Sequence, residues 1–196
     1  MKVCIIDYGM GNIKSVSNAL DFLGFEYKII NHPGDNIEEK IIIPGVGAFG
    51  DAMKNFEPFL SKIREAIDSG IPILGICLGM QLFFENSEES GEINGISALK
   101  GCVTRPKTNL ILPHMGWNSL KIHKPDCPLF EGIDNGYVYY AHSYHVDAER
   151  EVVAATSNYG SKIIASIWED NIYGTQFHPE KSGEVGLKIL KNFLEL

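Results

Sequence analysis

The run Pro72-Ile-Leu-Gly-Ile-Cys77-Leu-Gly79-Met-Gln81 restricts the folding of this chain more than any other segment. A short apolar stretch breaks there into Gly75-x-Cys77-x-Gly79. This spacing predicts a strand that stops, a residue held in a strained turn, and a helix that begins at once. A side chain at either glycine would collide with the neighbouring strand or helix. Such an elbow exposes a sulfur at a helix N-terminus, where the helix dipole favours thiolate over thiol. A cysteine after an apolar strand can equally be a small buried hydrophobe. A second segment, Gln176-Phe-His178-Pro-Glu180, weighs against that reading. On an extended strand His178 and Glu180 share a face, because side chains alternate with period two. Pro179 between them has no N–H and suits the end of a strand. A cysteine, a histidine and a carboxylate of this kind supply a nucleophile, a base and a group that orients the base.

Strands and helices alternate around these segments. Lys2–Ile6 reads as a strand, and Asn12–Leu23 as a helix with Ile13, Val16, Leu20 and Leu23 on one face, stopped by Gly24. Tyr27–Ile30 and Ile41–Ile43 are short apolar strands. Phe49–Ser69 has helical period through Met53, Phe56, Leu60, Ile63 and Ile67, and Pro58 predicts a kink or a break. Ile71–Ile76 leads into the elbow, and Leu78–Phe84 is the expected helix after it. From Gly101 onward, Tyr137–His145, Val152–Thr156, Ile163–Trp168 and Ile172–Phe177 read as strands, and Gly183–Leu196 as an amphipathic helix. The expected fold is α/β, one domain over 1–196, with a mostly parallel, mixed sheet flanked by helices.

Composition excludes several classes of function. A net charge of −8 argues against a nucleic-acid partner. No apolar stretch approaches the ~20 residues of a membrane helix. Val3-Cys4-Ile5-Ile6 runs straight into Asp7, as in a buried strand rather than a signal peptide. Cys4, Cys77, Cys102 and Cys127 show no metal-like pairing and read as reduced thiols of a cytoplasmic enzyme, with no metal site and no cofactor. Neither a Walker A motif nor a Gly-x-Gly-x-x-Gly loop is present to hold an ammonia acceptor. His32 and His123 sit in turn-like segments, and His142 and His145, three apart on one strand, would face opposite ways.

Cys77-Leu-Gly-Met-Gln81 with Phe177-His178-Pro-Glu180 resembles the triad-type, class I glutamine amidotransferases, whose fold is flavodoxin-like. Within that family the chain is most similar to the glutaminase subunits of imidazole glycerol phosphate synthase. The closer match rests on Asp7-Tyr-Gly-Met-Gly-Asn-Ile13, Pro44-Gly-Val-Gly47, Pro113-His-Met-Gly-Trp-Asn118 and His178-Pro-Glu-Lys-Ser182. The resemblance implies that Cys77 attacks the side-chain amide of glutamine, that His178 moves the proton, and that Glu180 fixes the imidazole. It implies an oxyanion hole from Leu78 and the Val46–Gly47 backbone. It further implies a substrate pocket at Gly45, Gln81, Glu89, Ser143 and Tyr144. The implied partner is a (βα)8-barrel cyclase that forms a heterodimer through Asn12, Trp117, Tyr139 and Lys181. It would use the ammonia to make imidazole glycerol phosphate and an aminoimidazole carboxamide ribonucleotide in histidine biosynthesis.

Other readings stay open at this level. The chain could be a paralogous subunit feeding ammonia to another synthase, such as one amidinating a cell-surface sugar. Ser143-Tyr144-His145 lacks the basic residue expected near the family's interface, which leaves the partner open rather than the chemistry. A catalytically silent scaffold is opposed by the intact triad, and a glutaminase of the pyridoxal phosphate pathway by the Pro113–Asn118 motif.

Overall fold

The computed structural model describes residues 3–37 and 40–196; of the expected first strand, Lys2 lies outside the described residues. The first half alternates β1 (Val3–Ile6), α1 (Ile13–Leu23), β2 (Tyr27–Ile30), β3 (Lys40–Gly45), α2 (Phe49–Phe56), α3 (Leu60–Asp68), β4 (Ile73–Cys77) and α4 (Leu78–Gln81). The second half carries β5 (Asn86–Ser87), β6 (Gly101–Thr104), β7 (His114–Ser119), β8 (Lys121–Ile122), β9 (Tyr137–His142) and β10 (His145–Ala148). These are followed by β11 (Val153–Asn158), β12 (Lys162–Glu169), β13 (Ile172–Thr175) and α5 (Gly183–Leu194).

Among the described residues, eight strands form the main sheet in the order β2-β1-β3-β4-β13-β12-β11-β8. Strands β2, β1, β3, β4 and β13 pair in parallel, and β12, β11 and β8 continue the sheet antiparallel. The mixed sheet expected from the branched runs is therefore present. Alternate residues of the parallel strands divide between two cores. Cys4, Ile6, Ile41 and Ile43 meet Phe49, Phe56 and Ile63 of α2 and α3. Val3, Ile5 and Ile42 meet Val16 and Leu20 of α1 and Ile189 and Phe193 of α5. Strands with helices on both faces must be apolar on both sides, which is why their sequences run without alternation. Phe56 and Phe193 are fully buried; cutting either back to alanine would cost about 3–5 kcal/mol.

Local signals acted where they were expected. Asn12 caps α1 by accepting from the Ser15 N–H at 3.2 Å, and Gly24 ends the helix in the left-handed conformation. Pro58 breaks the long helix into α2, a 3-10 turn at Glu57–Phe59, and α3. Three expectations fail. The helix after the elbow covers only Leu78–Gln81, since Phe83 and Phe84 donate three residues back, to the Met80 and Gln81 carbonyls, in tightened turns. Phe83 and Phe84 are thereby both fully buried. Tyr137–His145 is not one strand. It breaks at Ser143–Tyr144, so that β9 pairs with β7 in a two-stranded ribbon while β10 joins β6 and β5. The last strand stops at Thr175, so His178 and Glu180 do not lie on an extended strand. Glu180 lies in a 3-10 turn, Pro179–Lys181, for which His178 is the cap.

Candidate active site

The site lies at the C-terminal ends of β3, β4 and β13, where an open α/β sheet leaves a crevice. Cys77 ends β4 with φ 55° and ψ −109°, a left-sided conformation that side chains other than glycine rarely hold. The flanking glycines make this turn possible. A Cβ on Gly79 would come within 1.8 Å of the Ile43 carbonyl oxygen, and one on Gly75 within 2.6 Å of the Met80 backbone. Leu78 opens α4, so its N–H has no partner within the helix. A helix of four residues has little dipole; what the elbow offers an anion is that single N–H.

His178 reaches the site from the far side of β13. Its backbone is tied to the β7–β9 ribbon: His178 N–H donates to the Tyr139 carbonyl at 2.9 Å, and Tyr139 N–H donates to Ser182 Oγ at 2.9 Å. Ser182 Oγ donates back to the His178 carbonyl at 2.6 Å. The 3-10 turn then folds Glu180 under the ring, with Nδ1 of His178 2.9 Å from Glu180 Oε1 and both side chains almost wholly buried. The expected pairing is therefore right, but a turn makes it rather than strand alternation. With Nδ1 committed to Glu180, the other edge of the imidazole is left to interact with Cys77. Burial disfavours the imidazolium, but the charge and hydrogen bond of the Cys77 thiolate, together with those of Glu180, outweigh it. They raise His178 from 6.5 to about 10. Glu180 and Cys77 thus both favour the protonated imidazole.

A pocket of about 180 Å³ opens above the sulfur, and Val46, Gly47, Leu78, Gln81, Glu89, Ser143 and Tyr144 all line it with Cys77. Gly45 does not line it. It pairs with Cys77 across β3 and β4, and a Cβ there would lie 2.5 Å from the Tyr8 hydroxyl and 2.7 Å from the Gly79 nitrogen. Its role is to let the strands and the elbow pack. Glu89 is exposed, and its Oε2 accepts from the Phe49 N–H at 2.8 Å, at the start of α2. Gly47 has φ 109°, and the Val46 N–H donates to the Met10 carbonyl at 2.7 Å. The peptide expected to help the oxyanion hole is thus bonded to the Asp7–Ile13 loop.

Of the expected interface residues, Trp117 and Tyr139 are cross-strand partners on the ribbon, their rings edge to face at 6.1 Å. Trp117 is 57% exposed, and the six-membered edge of its indole lies 3.9 Å from where a Cβ on Gly183 would stand, just past the exposed Lys181. Asn12 is occupied as the helix cap. The Ser143–Tyr144 segment, expected to bind substrate, lines the pocket.

Sequence reasoning overlooked four residues here. Gln176 is wholly buried and donates to Cys77 Sγ at 3.6 Å. His142 lines the pocket and bonds to His114, both buried on the ribbon. The break at Ser143 invalidates the argument that placed His142 and His145 on one strand. Tyr8 buries its hydroxyl beside the elbow with no hydrogen-bond partner, and burial first, then Cys77, raises its pKa. The proline-histidine motif and the glutamine two residues before His178 were visible signals that only the tertiary contacts could interpret. Among the described residues, no three His, Cys, Asp or Glu side chains are grouped to hold a metal ion.

The model of the class I glutamine amidotransferases matches residues 4–196. The chain belongs to that family. It is 48% identical over 195 residues to the imidazole glycerol phosphate synthase subunit HisH of Methanocaldococcus jannaschii, covering 98% of each chain. It is 47% identical to the HisH subunit of Moorella thermoacetica, covering 99% of this chain and 94% of the relative. Solved structures similar in fold include PurLQS of Thermotoga maritima, with a TM-score of 0.76, 24% identity, and coverage of 99% and 97% of the two chains. A crystal structure of a glutamine amidotransferase also has a TM-score of 0.76, at 18% identity, covering 98% of this chain and 97% of its own.

Proposed function

We propose that this chain is the glutaminase subunit of an imidazole glycerol phosphate synthase. It would hydrolyse glutamine to glutamate and pass the ammonia to a (βα)8-barrel cyclase in the cytoplasm. The observation that carries the chemistry is the buried array of Cys77, His178 and Glu180 opening on one small pocket. The relatives' names support the pathway.

Cys77 attacks the amide carbon as thiolate, and the C=O electrons move to oxygen. His178, already protonated, gives its proton to the departing ammonia, and the glutamyl thioester remains. Water then attacks the thioester with His178 as base, and glutamate leaves as the sulfur regains its resting charge. Glu180 keeps the imidazole oriented and supports its positive form throughout. Leu78 N–H is the fixed oxyanion donor; Val46 or Gly47 supplies the second after the loop releases Met10. Gln81, Glu89 and the Ser143–Tyr144 backbone hold the amino-acid end of the substrate, Glu89 meeting its ammonium. Trp117, Tyr139, Lys181 and Asn12 face the cyclase.

Complementation tests the pathway. A strain lacking its synthase glutaminase subunit should grow without histidine, at low ammonium, when given this chain with its own cyclase. Growth with Cys77→Ser in place of the native chain, or no rescue by an active glutaminase, contradicts the assignment.

A further inference from the structure

A line of hydrogen bonds runs from the exposed ribbon to the nucleophile, and its directions are fixed by two carbonyl oxygens, those of Asn158 and Tyr144, which only accept. His142 Nδ1 lies 2.8 Å from the Tyr144 carbonyl, so Nδ1 carries the hydrogen and Nε2 the lone pair. His114 Nδ1 therefore donates to His142 Nε2 at 3.1 Å, and His114 Nε2 accepts from Asn118 Nδ2 at 3.4 Å. Asn118 Nδ2 is itself pinned to the Asn158 carbonyl at 2.8 Å. From the other side, Gln81 Nε2 donates to the same Tyr144 carbonyl at 2.9 Å. Its second hydrogen goes to Gln176 Oε1 at 3.1 Å. That bond decides which way the Gln176 amide faces. Its oxygen is turned to Gln81, so its NH₂ is turned to the sulfur of Cys77 at 3.6 Å.

Gln176 has no solvent contact and its backbone N–H is bonded to the Ala165 carbonyl at 2.9 Å, so the side chain has little freedom to turn elsewhere. A buried amide NH₂ gains little from a neutral thiol, which is a weak acceptor, and considerably more from a thiolate. A donor that bonds the charged form better than the neutral form shifts the balance toward charge. The Leu78 N–H, reserved for the substrate oxyanion, cannot do this without leaving its task.

We propose that Gln176 is a catalytic residue, its side-chain amide donating to Cys77 Sγ and holding the sulfur as thiolate while the proton rests on His178. Gln81, anchored on Tyr144, is the positioning residue that sets the orientation of this amide. The inference rests on Cys77 being the nucleophile, yet its test involves no glutamine. Failure of that reading would appear as turnover by Cys77→Ser, whereas failure of the inference appears in alkylation of Cys77.

The experiment is iodoacetamide labelling of the full chain from pH 5 to 10, followed at the Cys77 peptide by mass spectrometry. The half-buried Cys102 is the internal control. Gln176→Met removes the donor and should slow Cys77 labelling at pH 6 by about tenfold. The deficit should close at high pH, where the sulfur ionises without help. Gln176→Glu, which keeps the shape but offers no amide donor, should give at least the same deficit. It becomes the deciding variant if Gln176→Met exposes the buried Cys4 and Cys127 to the reagent. Native labelling rates at pH 6 in the deciding variant, or a deficit equal at every pH, would overturn the proposal.

Discussion

Replacing the sulfur of Cys77 by oxygen changes one atom in a wall where the neighbours are already fixed by glycine contacts and buried bonds. Cys77→Ser should therefore leave folding and assembly intact, while glutamine hydrolysis drops at least on the order of a thousandfold. His178→Ala should be about as severe, because triad members act as a unit. Steady-state glutamate release checks both, and more than a few per cent of residual rate in Cys77→Ser contradicts the assignment. At this scale the sequence was informative because the three reactive groups are chemically unusual and near glycine or proline. The route from His178 to Glu180 was not legible, since a 3-10 turn and an extended strand both bring residues two apart together when proline sits between them. Gln176 was visible beside His178, but only its distant partners, Gln81 and Cys77, show what its amide does.

Two elements carry what the residues need. The first is the Pro44–Gly47 loop, whose Val46 N–H is held by the Met10 carbonyl. In this arrangement the Val46 N–H is withheld from an oxyanion, and one missing donor costs on the order of 10²–10³ in rate. A rotation that frees the Val46 N–H from the Met10 carbonyl would supply the second donor. Shifting such an equilibrium takes only a few kcal/mol of preference from a partner. Turnover by the isolated chain should thus rise at least tenfold when synthase and acceptor ligand are added, mainly in kcat. Full activity of the chain alone would refute the switch and leave the triad standing.

The second element is the β7–β9 ribbon, which the sequence reading fused with β10. The pattern was misleading because Tyr137–His145 keeps strand-like residues across the break. The ribbon buries His114 and His142 as neutral rings. Burial lowers His114 to about 4 and His142 to about 3, the latter despite its bond to the Tyr144 carbonyl. Unfolded, each has an ordinary value near 6.5. Between about pH 6.5 and 3 the unfolded chain binds protons that the folded chain refuses, so stability falls as pH drops through that window. Thermal midpoints should decline from pH 7 to 4.5, and decline less steeply in His142→Gln. Equal slopes would show that the histidine pair is not responsible.

For the whole molecule, the α/β architecture was legible because apolar runs between helices have few other solutions, and the two cores divide along the alternation of β1 and β3. The second half was less legible, since its short strands pair across three sheets and register depends on tertiary contact. At this scale the account makes one central claim: the chain releases ammonia, and a partner consumes it. The ribbon that ties His178 through Tyr139 also presents Trp117 outward, so the proposed cyclase face and the proposed glutaminase site share one element. The most direct test is the synthase complex carrying Cys77→Ser, assayed for imidazole product with glutamine and, separately, with ammonium salts. Product should form with ammonium at close to the native rate and should be nearly absent with glutamine. Equal failure with both nitrogen sources, or undiminished synthesis from glutamine, would contradict the claim.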